Sequence, residues 1–232
     1  MAESPDIDRT LIPFDVQRSD ITIQVNFGTQ FWPLFHNIPS LYSALLSRLK
    51  DSGVTAHNIR SDGGDGTLGA YNVSFWILTF RAQVRIRLEN VEIQFNNITR
   101  QDADAFERAF VALMVALTDA MREIEFTTYS VDFGLHGDLR GISSRDFLGR
   151  FVTKVPDRLG AFIGAGVVFY FGEEAESPVR TVTADLSGAF PGKLYVRLYS
   201  LYKGTISPET LRSVVERDAT TGLESLGLTS HI

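Results

Sequence analysis

The chain contains no cysteine, which excludes disulfide staples, thiolate metal sites and cysteine nucleophiles. Nothing in it depends on the redox state of its surroundings, and a cytosolic place is the simpler expectation. Histidine is scarce: His36, His57, His136 and His231 stand far apart, with no H-E-x-x-H spacing. A catalytic zinc set is therefore not expected. Lysine is scarcer still beside arginine, with 4 Lys and 18 Arg. Acidic residues outnumber basic ones, and the formal net charge of −6 is interspersed along the chain, so no general attraction to nucleic acid or anionic lipid follows.

Long hydrophobic runs are also missing. The longest in the second half, GAFIGAGVVFYF (160–171), has 12 residues, against roughly 20 for a helix that spans a bilayer. The first residues, MAESPDIDRTLIPF, place acids where a secretion signal carries positive charge. No serine sits in a G-x-S-x-G elbow, and Glu173-Glu174 are adjacent residues, which diverge and do not face each other as a glycosidase pair does. The sequence thus calls for no cofactor and no metal.

What is present is ample apolar content, 44% of 232 residues, enough for a sizeable core. ITIQVNF (21–27), VRIRL (84–88) and VEIQF (91–95) alternate apolar and polar residues, the two-residue period of half-buried strands. A turn at Glu89-Asn90 would set Arg87 opposite Glu92 and Ile86 opposite Ile93. Residues 124–135 also read as a strand, but the apolar parity shifts between Phe126 and Tyr129, which calls for a bulge near Thr127-Thr128. Further strands are expected at 161–171, 179–187 and 193–202.

Helices are expected from Pro39 to Lys50, from Ser143 through a short stretch, and from Ser207. The strongest runs over 102–121, capped by Thr99 or Asp102, with Phe106, Phe110, Leu113, Leu117 and Met121 in one stripe. Small apolar residues on its other faces call for burial on more than one side. Residues 220–232 read as a weakly structured tail or a docking segment. Together these elements give an α+β fold: a mainly antiparallel sheet packed against helices, with a long buried helix at about 102–121. Residues 1–15 read as an N-terminal arm and 16–232 as one domain, any division into subdomains falling near 136–158. No internal repeat is visible.

The string Gly63-Gly64-Asp65-Gly66-Thr67 resembles the nucleotide-binding motif of the diacylglycerol, sphingosine and NAD kinases. The resemblance covers these residues alone and implies a nucleotide- or metal-dependent enzyme, with Asp65 the key acid. A phosphate loop needs amides converging at a helix start. Here VTAHNIRSD precedes the glycines and the β-prone LGAYNVSFWILTF follows them, so the residues themselves read as a tight turn.

The leading functional expectation is a non-enzymatic, self-associating or partner-binding protein with a structural or scaffolding role. Leu11, Ile12 and Phe14 of the arm, with Tyr195, Arg197, Tyr199 and Tyr202, are the candidate interface residues, because Tyr and Arg are favoured at protein interfaces. A homo-oligomer or a protein partner is implied. A third reading places an apolar ligand between the sheet and the 102–121 helix, since a cavity and a filled core share one sequence pattern.

Overall fold

The computed structural model describes residues 11–63, 68–152, 165–172, 179–203 and 210–230. Among them, ten strands join in one sheet. Two long strands, β1 (Ile12–Phe27) and β6 (Phe126–Leu139), run antiparallel through its middle. From β1 the sheet continues through β5 (Asn90–Phe95), β4 (Ala82–Arg87) and β3 (Asn72–Ile77) to β2 (Arg60–Asp62). From β6 it continues through β9 (Leu194–Lys203) and β8 (Val179–Leu186) to β7 (Val167–Phe171). Every pairing along this path is antiparallel. A short β10 (Leu228–Thr229) lies parallel to the start of β1.

Alternation decides which face the helices cover. Ile21, Ile23 and Val25 of β1 and Val131, Phe133 and Leu135 of β6 are buried, while Thr22, Gln24 and Asn26 between them stay partly open. Over the apolar face lie α1 (Pro33–His36), α2 (Ile38–Arg48), α3 (Ala103–Ala120), α4 (Ser144–Gly149) and α5 (Leu211–Ser225). α3 buries Phe106, Ala109, Phe110, Leu113, Met114, Ala116 and Leu117, and α2 runs beside it with Arg48 paired to Asp119. Its Val115 remains exposed, so the apolar coat of this helix is covered on the sheet side and one flank, and not all round. No helix of the described residues is long and apolar enough to cross a membrane.

The order of elements repeats. β1, α2, β3, β4, β5, α3 is followed by β6, α4, β7, β8, β9, α5, and the sheet reads β3-β4-β5-β1 against β6-β9-β8-β7 in reverse. Two halves of like topology therefore meet at the β1/β6 pair about a pseudo-two-fold axis. They join between α3 and β6, whereas 136–139 lies inside β6. The repeat is invisible in the sequence because a topology asks only for polar and apolar residues in the right period, which many unrelated strings satisfy.

One sequence expectation is corrected. In the β4–β5 hairpin Arg85, not Arg87, lies opposite Glu92, and Ile86 faces Val91, so the turn is Leu88-Glu89. A slip of two residues keeps every side chain on its face, and the hydrophobic pattern could not choose between the registers. Of the two readings of the chain's last residues, docking is the one observed: residues 220–229 form the last turns of α5 and β10, held by buried Leu223, Leu226 and Leu228. The bulge near Thr127 is present: Asn26 pairs with Thr128 and Phe27 with Phe126, leaving Thr127 between them.

Candidate functional site

The helix-free face of the sheet carries three of the expected interface residues. Tyr195, Arg197 and Tyr199 alternate along β9 with buried Val196 and Leu198, and so all project away from the helices. Register carries them into rows across the sheet: Tyr199 beside Thr181 and Thr181 beside Tyr170, and Arg197 beside Thr183 and Thr183 beside Val168. Arg197 clamps Asp132 through two guanidinium nitrogens, Nε to Oδ1 at 2.8 Å and Nη2 to Oδ2 at 2.5 Å. Tyr195 lies flat over Gly134, where an added Cβ would come within 3.2 Å of its ring. Burial pushes the Tyr195 phenol above its ordinary range, and the Asp132 charge adds to the effect.

His136 stacks on Tyr195 with ring centroids 4.6 Å apart, and its Nδ1 is 2.8 Å from Ser187 Oγ. Burial lowers its pKa, Asp20 opposing and Arg18 adding to that shift. The ring is thus a neutral, tightly held part of the face.

The remaining candidates lie elsewhere. Tyr202 points to the helix side, is 8% exposed and donates its hydroxyl to Asp218, whose carboxylate also pairs with Arg180 at 2.9 Å. Phe14 is 2% exposed in the core, and Ile12 pairs with Leu228. Ile12 and Phe14 belong to the first part of β1 and are spent within their own chain, whereas Leu11, just before the strand, stays partly open.

The two ends of the sheet differ sharply. At one end β2 has the sequence Arg-Ser-Asp, exposed throughout. At the other, β7 is Val-Val-Phe-Tyr-Phe, with no charge and no proline. Seven large hydrophobic side chains are exposed among the described residues, and four of them gather here: Val168 at 43%, Tyr170 at 79%, Phe171 at 41% and Phe151 at 37%. Phe151 follows α4 and meets Phe169 edge-on at 5.8 Å, so aromatic surface lies on both sides of the edge strand. The sequence signal for this site was the unbroken apolar run 167–171, which reads equally well as an inner strand.

A cavity of about 300 Å³ opens on the helix side, between α3 and α5 above the middle of the sheet. Ile21, Ile23 and Phe133 form its floor, Phe106 and Phe110 one wall, and Val215 with Ala219 the other. It sits at the junction of the two halves.

Of the glycine string, Gly64, Asp65, Gly66 and Thr67 fall outside the described residues. Gly63 directly follows β2, and a single 3-10 turn, Leu68–Ala70, leads into β3. β2 and β3 are antiparallel neighbours at the sheet's end, whereas the kinase motif joins an inner strand to an α-helix. No group of three or more His, Asp or Glu residues that could hold a metal ion occurs among the described residues. In comparison with known proteins, no family model and no curated protein matches the chain.

Proposed function

We propose that this chain is a non-enzymatic structural protein that associates with a second copy of itself through β7. The observation that carries the reading is the apolar, uncharged edge at Val167–Phe171, against the charged and fully exposed opposite edge. An open strand edge presents unpaired N–H and C=O groups that pair readily with another strand, and folded proteins ordinarily blunt such edges with charge or proline. β2 carries that protection; among the described residues, Val167–Phe171 of β7 carry neither charge nor proline.

The strand is also complementary to itself. Antiparallel pairing of two copies centred on Phe169 sets Val168 opposite Tyr170 and Val167 opposite Phe171, and each such β-branched and aromatic cross-strand pair is favourable by roughly 0.2–1 kcal/mol. The pairing is isologous and closes as a two-fold dimer. It would run the Tyr199–Thr181–Tyr170 row of each copy into the Val168–Thr183–Arg197 row of the other on one continuous face.

Sizing by light scattering tests the reading. A dimer is expected at micromolar concentration, and Val168→Lys with Tyr170→Lys should yield a folded monomer. A wild-type chain that stays monomeric across that range would end the proposal.

A further inference from the structure

We propose that the cavity between α3 and α5 is a binding site for a small, uncharged, apolar molecule, a ligand site independent of the β7 edge. About 300 Å³ lies at the lower end of the range for small-molecule pockets, roughly 300–1,000 Å³. The floor and walls, from Ile21 and Phe133 to Phe110 and Val215, offer dispersion contacts from four elements.

The polar groups around it show what charge the occupant carries. Ser19 is 6% exposed, but its hydroxyl already donates to the Ile98 carbonyl, so it does not call for a partner in the ligand. At the mouth, Arg212 of α5 pairs with Asp104 and, at 3.8 Å, with Glu107 of α3, and with Glu216 of its own helix at 2.9 Å. Its charge is committed three times over. A carboxylate ligand would meet those acids, and a cation would have to displace Arg212 from them. Arg100 and Arg212 stand among Glu107 and Glu216 of the lining, with Asp104 beside them, so the mouth has no positive excess to draw in an anion. A neutral apolar molecule satisfies the walls and disturbs none of these pairs.

Entry is inexpensive. The ties from Arg212 to α3 are surface ion pairs, with side-chain exposures of 37% for Arg212 and 69% for Asp104, and pairs of this kind contribute little to stability.

Titration of the full chain with N-phenyl-1-naphthylamine, a neutral probe that brightens in apolar surroundings, tests the site. Saturable brightening with one probe per chain is expected. Val215→Trp and Ala103→Phe narrow the cavity from opposite walls, and each should weaken the probe tenfold or more with the thermal melt still cooperative. Tyr170→Lys at the sheet edge should leave the titration unchanged. Absence of saturable brightening overturns the proposal, as does binding that survives both filling variants or vanishes with Tyr170→Lys. Monomeric behaviour in light scattering leaves this site intact, so the two readings fail separately.

Discussion

Gly222 of α5 lies so close to Leu198 of β9 that a Cβ added at 222 would overlap the leucine Cδ2. This contact lets the C-terminal helix settle on the sheet, with Ala219 and Leu223 buried beside it. Gly222→Ala is expected to destabilise the fold by about 1–3 kcal/mol through overpacking. Leu198→Ala in the same chain should relieve part of that penalty, and a double-mutant cycle of chemical denaturation checks the coupling.

Asp102 ties the start of α3 to the tip of the β3–β4 hairpin. It accepts from the Thr99 N–H at 2.8 Å and from Arg81 Nη1 and Nη2 at 2.6 and 2.8 Å. Burial pushes its carboxyl up, but the bonds from Thr99 and Arg81 outweigh that and hold it below the ordinary value of 3.8. A depressed acid contributes stability above its unfolded pKa and loses it as pH falls through the folded one. Asp102→Ala should cost about 1 kcal/mol at neutral pH, as lost helix caps do, and should flatten the decline in melting temperature below pH 4. An unchanged acid profile would refute this assignment.

Tyr129 is 1% exposed, and its hydroxyl has no hydrogen-bond partner among the described residues. An unmet buried donor costs about 1–3 kcal/mol. Tyr129→Phe keeps the ring and removes the cost, so its melting temperature should rise; a fall would mean that the hydroxyl is satisfied.

His136 is held neutral between Tyr195 and Phe190, its pKa lowered from 6.5 mainly by burial. In the unfolded chain it takes up a proton near 6.5, so its contribution is complete above that pH and is lost as pH falls through the lower folded value. Thermal melts from pH 7.5 to 5 should show stability declining, and His136→Gln should show a shallower decline over that range. Equal slopes would refute the linkage.

The parts of the fold legible in the sequence were those set by short periods. The strands of β1, β4 and β5, the α3 stripe and the Ser143 cap, which accepts from the Asp146 N–H at 3.1 Å, all follow from local alternation or capping. The β4–β5 register was not legible, because a slip of two preserves parity. Residue type groups Tyr202 with Tyr195 and Tyr199, although β9 alternation from Tyr199 puts position 202 on the opposite face. Phe14 reads as part of an arm because the polar residues around it hide the start of β1. The cavity lay beyond sequence reasoning, since Ile23 and Phe110 read as core whether or not the space beside them is filled.

The reversed strand order about β1 and β6 bears on how the polypeptide is assembled. As it leaves the ribosome, everything up to α3 can settle while β1 waits with one side bare, and that side is closed only when β6 emerges. A break placed between α3 and β6 would leave each fragment with one long strand bare on the side made for the other. Two such fragments produced together should dock and restore the ten-stranded sheet; fragments that remain apart would show that the seam needs the covalent link.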